Sequence, residues 1–498
     1  MGQSSLQKRF SYRHLIFSQK YIILYLFFSR NRYFIILLYL FFTKNSREMD
    51  YFHRKEGGLV AQIPEEVKNV MTRLEAAGYQ AWCVGGAVRD LLLGRTPGDW
   101  DVTTNALPET VLELFDPRAL PTGLKHGTVT VGGGRGVEVT TFRRDGDYLD
   151  HRHPERVEFT GSLTEDLARR DFTVNAMAMD LRGDLADPWG GREDLAAGVL
   201  RAVGAPEERF EEDALRILRG LRFAARLGFA VEAETGRAMV NRAADLREIA
   251  PERVRVELEG LLCGDHAAQV LLDWPEVLGA VLPEILPCVG FDQRSRYHCY
   301  DVWEHTARAV EAAPPQPIPR WTMLLHDLGK PNTFTLDEGG EGHFYGHWRE
   351  SVRLAEAILE RLRFDNRSRR TILTLVERHD CELPLTQKAV RRNLARYGEE
   401  TVRLLLAVKR ADNLAQAPAF HGRQQGIDQW EALLNMTLAE DSCFSLRQLT
   451  VKGNDLTEIG LRGPTVGKTL NDLLELVMDE ELPNDRTVLL DYVKEKFL

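Results

Sequence analysis

The sequence lacks the cysteine patterns that mark a disulfide framework or a zinc ribbon. Its 498 residues contain six cysteines, which are scattered along the chain without a Cys-x-x-Cys pair. Small secreted folds and zinc ribbons need closely spaced cysteines, so both classes are excluded. Unpaired cysteines are typical of a reducing compartment, and we expect a cytoplasmic protein.

The sequence also lacks an uninterrupted apolar run of the roughly 20 residues that span a bilayer. Residues 21–28 and 33–42 are shorter apolar runs, separated by the polar residues 29–32. The segment 1–48 is dominated by Phe, Ile, Leu and Tyr, whereas the remainder is rich in Ala, Gly, Arg and Leu. We interpret residues 1–48 as a mis-called or disordered extension, with Met49 as the candidate start. The alternative is a membrane-associating tail.

Positive charge is in deficit, because the formal net charge is −10. Any nucleic-acid binding must therefore use local basic patches rather than the overall field of the protein. No membrane partner is expected unless residues 1–48 are real, and no obligate protein partner is evident. The length predicts several domains.

The most informative stretch is Trp82–Val102, which reads as strand, glycine turn, short helix, loop and strand. Gly85 and Gly86 let the backbone approach a ligand, and the helix start that follows suits a phosphate. Arg89 in the first turn of this helix adds a positive charge.

Asp99 and Asp101 flank Trp100 in the second predicted strand of this stretch. Alternate residues of a strand face the same side, so the two carboxylates are expected to converge. Paired carboxylates suit two Mg²⁺ ions in phosphoryl transfer. Glu138, in a strand predicted at 137–142, is a candidate third carboxylate, although a structural role fits it equally well. A solvated surface loop is the alternative for Asp99 and Asp101.

Two further segments carry polar residues suited to a nucleotide. Arg170, Asp171 and Asn175 can contact ribose and phosphate. Asp213 and Arg216 are predicted on one helix at i and i+3, where a carboxylate can accept from an exocyclic amine and a guanidinium can donate to a ring acceptor. Cytosine and adenine share that edge, whereas guanine and uracil do not. The alternative is a helix salt bridge of little energetic value.

A separate set of metal-ligand residue types lies in the predicted helical second half. It comprises His305, His326, Asp327 and Asp412. Imidazole and carboxylate groups suit a divalent metal. Three further histidines are nearby extras, for a second metal or for a substrate phosphate: His343, His347 and His379.

These motifs resemble two known families. Gly85-Gly86-x-x-Arg89-Asp90, Asp99-x-Asp101, Arg169–Met177, Asp187–Leu195 and Glu212–Phe229 resemble class II nucleotidyltransferases, which comprise the tRNA CCA-adding enzymes and bacterial poly(A) polymerases. The His, His-Asp and Asp set resembles the HD phosphohydrolase superfamily.

The first resemblance implies template-independent addition of CCA to the tRNA 3′ end from CTP and ATP, with Mg²⁺ on Asp99 and Asp101. A second divalent metal is implied in the HD domain. The nucleotide-binding residues that the resemblance implies are Gly85, Gly86, Arg89, Arg170, Asp171, Asn175, Asp213, Arg216, Arg219 and Arg222. Alternatives within the family are A-only addition and poly(A) synthesis. From other classes, the alternatives are an HD phosphohydrolase and a non-catalytic RNA-binding protein.

The expected fold class is α+β. A nucleotidyltransferase head with a small mixed or antiparallel sheet precedes an all-α neck, an HD-type body and a tRNA-binding tail. The predicted ranges are 1–48 for the extension, 49–195 for the head, 196–262 for the neck, 263–420 for the body and 421–498 for the tail. A polar mobile loop is predicted at 143–154.

Overall fold

The structure, a computed structural model, describes residues 27–29, 32–34, 56–133, 136–145, 157–440 and 443–497. The predictions for residues 1–48 and for Met49 fall outside the described residues, except for two short strands, β1 (Phe27–Ser29) and β2 (Arg32–Phe34), which pair antiparallel. Among the described residues, we find no helix that is both long and apolar enough to cross a membrane.

The described chain divides into two compact units. The first contains the described residues up to Arg144 together with Val157–Ala197, and the second contains Asp145 and the described residues from Gly198 onward. The finer division into neck, body and tail stays a prediction.

The first unit is a mixed sheet with helices. Its elements are α1 (Glu56–Leu59), α2 (Glu65–Ala76), β3 (Ala81–Val84), α3 (Gly86–Leu92), β4 (Asp101–Thr104), α4 (Pro108–Phe115), β5 (Ala119–Gly123), β6 (Thr128–Val131), β7 (Val137–Thr141), β8 (Arg143–Asp145), β9 (Val157–Phe159), α5 (Leu163–Ala168), β10 (Ala178–Met179), β11 (Leu185–Ala186) and α6 (Gly191–Ala197). The main sheet has the order β11-β10-β3-β4-β7-β6-β5. Only the β4–β7 pair within it is parallel, so the mixed sheet is confirmed.

The spacing of the apolar residues explains which faces of the helices and strands of this unit are buried. Helix α2 has apolar residues at helical spacing, and it buries the face that they form: Val67, Val70, Met71 and Leu74. Val137 and Val139 are buried on β7, whereas Glu138 between them is exposed. Alternation along β7 therefore directs its valines into the core and Glu138 to the open face of the sheet.

Two local predictions in this unit are wrong. β4 begins at Asp101, and Asp99 lies in the bend before it rather than on the strand. Residues 143–145 form the strand β8, which pairs with β9, instead of opening a loop. The rest of the predicted loop, from residue 146, lies outside the described residues.

The second unit is almost entirely helical, as predicted. Its helices are α7 (Pro206–Glu212), α8 (Leu215–Leu227), α9 (Ala233–Asn241), α10 (Pro251–Leu262), α11 (Ala267–Asp273), α12 (Pro275–Gly279), α13 (Val302–Ala312), α14 (Pro317–Leu325), α15 (Lys330–Thr333), α16 (His347–Arg361), α17 (Asn366–Arg378), α18 (Gln387–Leu414), α19 (Gln424–Ala439), α20 (Gly453–Glu458), α21 (Pro464–Met478) and α22 (Arg486–Phe497). Its two short strand pairs are β12 (Val199–Leu200) with β13 (Ala230–Val231), and β14 (Thr335–Leu336) with β15 (Gly342–His343). Gly398 kinks α18.

Candidate active site and a second cluster

The sheet of the first unit brings Asp101 and Glu138 together. The two residues are register partners on the neighbouring parallel strands β4 and β7. Burial raises the pKa of Asp101; the nearby charge of Arg170 opposes this rise, and Glu138 and Asp99 add to it. Ionisation of Asp101 is costly because the carboxylate is buried near two others, and a bound cation would lower that cost. Carboxylate oxygens are ligands that suit Mg²⁺. These residues therefore fit the implied metal, with Asp99 contributed by the bend before β4.

Gly85 makes room for an arginine at the end of β3. Its φ is +72°, and a Cβ built there would lie 2.9 Å from Nη1 of Arg170. A side chain at position 85 would thus be both strained and obstructed. The predicted role of Gly85 in close approach is visible, but here the approaching group is a guanidinium of the same chain.

Asp166 is a site residue that sequence reasoning missed. It is fully buried, and it accepts from the Arg169 guanidinium at 2.9 and 3.0 Å while lying 3.6 Å from that of Arg170. Thr103 of β4 donates to it at 3.2 Å. Burial opposes its ionisation, but the two arginines outweigh burial and lower the pKa of Asp166. The available signal was the i, i+4 spacing of Asp166 and Arg170.

Arg89, Asn175 and Asp171 form one hydrogen-bonded chain. Arg89 is 5% exposed; it donates to Oδ1 of Asn175 at 2.7 Å, and it also donates to Asp90. Asn175 in turn donates to Oδ1 of Asp171 at 3.1 Å. The structure thus brings three predicted nucleotide-binding residues together, with Arg89 engaged in the protein interior.

The prediction that Asp213 and Arg216 share a helix is wrong. Asp213 is extended (φ −145°, ψ 101°), because it lies between α7 and α8. Its Oδ1 accepts from the backbone N–H of Leu215 at 3.0 Å, and its Oδ2 accepts from Arg253 of α10 at 3.1 Å. Arg216 donates to Glu212 and to the carbonyl of Arg209. The two side chains are therefore held by different partners.

Helix α10 also supports the other two predicted arginines. Glu257 is 6% exposed, and its Oε2 lies 2.8 Å from Nε of Arg222. Its Oε1 lies 4.0 Å from Nη1 of Arg219. A Cβ at Gly260 would lie 2.5 Å from Cδ of Arg222, so the absence of a side chain there lets α8 and α10 approach closely. Sequence reasoning did not find the roles of Arg253 and Glu257.

The second unit gathers four histidines and two aspartates. Two groups of potential metal ligands occur among the described residues: His305, His326 and Asp412 in the first, and Asp327, His347 and His379 in the second. All but Asp412 are almost fully buried. The four predicted ligands are thus brought together, and they are joined by two of the three extra histidines. His343 instead lies near the surface, with its Nε2 3.1 Å from Oδ2 of Asp337.

Charge in this cluster favours a cation. Burial opposes protonation of His326, but Asp327 and Asp412 outweigh it and raise the pKa of His326 to about 10. Burial and the charge of His326 lower the pKa of His379 to about 3. Both oxygens of Asp327 are buried without a geometrically acceptable hydrogen bond, although Nζ of Lys330 lies 2.6 Å from Oδ2. The ligand types and the unsatisfied carboxylate fit a divalent metal.

Models of known protein families match parts of both units. Residues 81–201 match the family model for the Poly A polymerase head domain, residues 228–286 match the one described as "Probable RNA and SrmB- binding site of polymerase A", and residues 296–417 match the HD domain. The fold and the carboxylate site of the first unit thus define a nucleotidyltransferase.

The relatives show which family of nucleotidyltransferases the chain is similar to. The CCA-adding enzyme of Lactiplantibacillus plantarum is 35% identical over 446 residues, which cover 88% of this chain and 98% of the relative. That of Geobacillus stearothermophilus is 46% identical over 267 residues, an alignment spanning 63% of the relative. The crystal structure of the Bacillus stearothermophilus CCA-adding enzyme in complex with CTP matches with a TM-score of 0.67 at 31% identity, covering 87% of this chain and 98% of that one. The chain belongs to the family of CCA-adding enzymes.

Proposed function

We propose that the protein adds CCA to the 3′ end of tRNA, using CTP and ATP and releasing pyrophosphate. The observation that carries the proposal is the pairing of Asp101 with Glu138 beside Arg170, in a chain of this family. The 3′ hydroxyl oxygen forms a bond to the α-phosphorus and gives up its proton to solvent, and the bond from that phosphorus to the pyrophosphate oxygen breaks. Mg²⁺ held by Asp99 and Asp101 would neutralise the charge that develops on the phosphates.

The other residues of the head position the nucleotide in this proposal. Arg170 supplies a guanidinium beside the acidic site, and Asp166 fixes its direction. The Arg89–Asn175–Asp171 chain orders the polar groups available for ribose and phosphate.

We assign base selection to Asp213 and Arg216. A carboxylate can accept from an exocyclic amine and a guanidinium can donate to a ring acceptor, which are the contacts that the shared edge of cytosine and adenine requires. The family's activity supports CTP and ATP as substrates. The edges of cytosine and adenine agree with this, because both bases present an amine beside a ring acceptor. Arg219 and Arg222 are proposed as additional nucleotide contacts.

Nucleotide incorporation tests the proposal. We expect the purified protein with Mg²⁺ to add two C and one A to a tRNA transcript that ends before CCA, and one A to a transcript that ends in CC. Addition of A alone to both would identify an A-adding enzyme, and long A tails on unrelated RNA would identify a poly(A) polymerase. A transcript that already ends in CCA is the matched control, and it should not be extended.

A second candidate function is phosphate-ester hydrolysis at the HD cluster. The buried ligand groups around Asp327 favour it. The oxygen of a water molecule would form a bond to phosphorus while the ester P–O bond breaks, and the alcohol would leave with a proton. The metal would supply Lewis-acid activation of this water.

Hydrolysis of p-nitrophenyl phosphate and of bis(p-nitrophenyl) phosphate with Mn²⁺ tests this function. We expect Asp412→Asn to reduce hydrolysis at least about 100-fold, because it removes a ligand charge. Nucleotide incorporation by the same variant is the internal control and should persist. Equal hydrolysis by the wild type and the variant would contradict the assignment.

We also propose a cytoplasmic location. All six cysteines are unpaired, and three of them are buried, which agrees with a reducing compartment.

A further inference from the structure

We propose that the hydroxyl pair formed by Thr122 and Thr130, on the open face of the main sheet, binds a ribose of the RNA substrate and selects RNA over DNA. The ribose is that of the nucleotide before the 3′-terminal one. This inference rests on the nucleotidyl transfer proposed above and deepens it, because it assigns specificity-determining residues for the RNA rather than for the incoming nucleotide.

The hydroxyl pair continues the row of carboxylates across the sheet. Asp101 of β4 and Glu138 of β7 are register partners, and Glu138 is also the register partner of Thr130 on β6. Register partners on adjacent strands face the same side of a sheet, so Thr130 shares a face with the two carboxylates. Oγ1 of Thr122, from the edge strand β5, lies 2.7 Å from Oγ1 of Thr130. A polar row therefore runs from the proposed metal site to the edge of the sheet.

The hydroxyl pair can bind a sugar hydroxyl. When two hydroxyls bond to each other, one hydrogen is used and the other is available. Neither Oγ1 has a second hydrogen-bond partner among the described residues, and Thr122 is exposed while Thr130 is half-buried. A ribose 2′ hydroxyl both donates and accepts, so it can accept the remaining hydrogen and donate to an oxygen of the pair. Because DNA lacks this hydroxyl, such a contact distinguishes RNA from DNA.

The direction of the attack places the RNA on this side of the carboxylates. The attacking and leaving oxygens are in line, on opposite sides of the α-phosphorus. Gly85, with the guanidinium of Arg170 beside it, follows β3, which lies on one side of β4 in the sheet. A triphosphate held there has its pyrophosphate toward β3. The 3′ hydroxyl then approaches from the side of β7, β6 and β5, which carries the hydroxyl pair.

The charge of the same sheet edge suits an RNA backbone. Residues 117–137 include Arg118, Lys125 and Arg135 but contain no Asp or Glu, in a chain whose formal net charge is −10. Lys125 is exposed in the turn between β5 and β6, and it forms no salt bridge with another described residue. A local excess of positive charge attracts phosphate groups even when the whole protein is acidic. The partner that fits this edge is therefore an RNA strand.

The distance from the metal site identifies which ribose reaches the hydroxyl pair. Adjacent strands are roughly 4.8 Å apart, so Thr130, two strands from Asp101, lies about 10 Å from it. The 2′ hydroxyl of the terminal nucleotide is attached to the carbon next to the one that bears the attacking oxygen, so it stays beside the metal site. The preceding ribose is the next one along the strand, and we assign its 2′ hydroxyl to the pair.

Replacing one ribose by deoxyribose tests the inference. The substrates are tRNA transcripts ending in CC, either all-ribose or with a single deoxyribose at the nucleotide before the last, and the measurement is kcat/KM for addition of A. We expect the wild type to prefer the all-ribose substrate about 5- to 10-fold, the typical effect of one hydrogen bond. Thr130→Val and Thr122→Val/Thr130→Val should lose about the same factor on the all-ribose substrate and should not distinguish the two substrates.

Thr128→Val is the matched control, because Thr128 lies on the same strand and face but its Oγ1 pairs with that of Thr140 at 3.1 Å. It should keep the wild-type preference. Valine is favoured in strands, and circular dichroism checks that every variant is folded. No preference in the wild type, or a wild-type preference in both Thr130 variants, overturns the inference while the proposed CCA addition stands. No addition of A by the wild type overturns both.

Discussion

Asp101→Asn is expected to reduce nucleotide incorporation at least about 10³-fold, equivalent to roughly 4 kcal/mol of transition-state stabilisation. The amide keeps the size of the side chain but removes the negative charge that the proposed Mg²⁺ needs. The measurement is the initial rate of CMP addition to a tRNA transcript that ends before CCA.

The same substitution should leave folding intact. Because burial raises the pKa of Asp101, and Glu138 and Asp99 add to the rise against Arg170, the ionised form is disfavoured in the folded protein. Replacing the carboxylate by a neutral amide therefore removes no electrostatic stabilisation of the folded protein. The unfolding temperature of the first unit should be unchanged or slightly higher. Asp184→Asn, the same change at an exposed position of the same unit, is the control and should retain activity. Full activity of Asp101→Asn would refute the metal-site assignment.

Gly191→Ala is expected to destabilise the first unit by roughly 2–3 kcal/mol, in the range of overpacking mutations. A Cβ at position 191 would lie 2.1 Å from the carbonyl oxygen of Thr173 and 3.0 Å from Cγ of Met177. The turn at Thr173 cannot simply move away, because Oγ1 of Thr173 donates to Asp194 of α6 at 2.7 Å. That turn also carries Asn175, so the KM for nucleotide should rise as well.

Gly161→Ala provides the comparison, since nothing lies within 4 Å of a Cβ built there and its backbone is not in the left-handed region. Its thermal transition should stay within about 0.5 kcal/mol of the wild type. Thermal unfolding and nucleotide KM of the two alanine variants are measured side by side. Equal stability of both would show that the turn accommodates the methyl group and that our packing argument is wrong.

Much of the fold was predictable because its signals are local. The apolar residues of α2 recur at helical spacing, and the glycine turn after Ala81–Val84 predicted the boundary between β3 and α3. Pro108 begins α4, a position at which proline is favoured because its missing N–H would have no partner in the helix. These features depend on residues within a few positions of one another, which a sequence displays directly.

The errors arose where a local pattern met a tertiary constraint. Alternation placed Asp99 on a strand, but pairing of β4 with its neighbours begins only at Asp101. Helical composition placed Asp213 on a helix, but the chain is extended there, and its carboxylate is held by Arg253 from 40 residues downstream. Amino-acid composition shows neither where the pairing between strands ends nor which distant residue a side chain contacts.

The sequence by itself determined which chemical groups are available to the proposed sites: the carboxylates Asp99 and Asp101, the arginines proposed to contact the nucleotide, and the histidines and aspartates of the HD set. Only the tertiary structure decided the partners. It placed Asp166 beneath Arg170, Glu257 beside Arg222, and four histidines from separate helices and turns around the two oxygens of Asp327. The physical reason is that a motif records which groups are present, whereas convergence of groups tens of residues apart depends on how the core packs and on which buried charges must be paired.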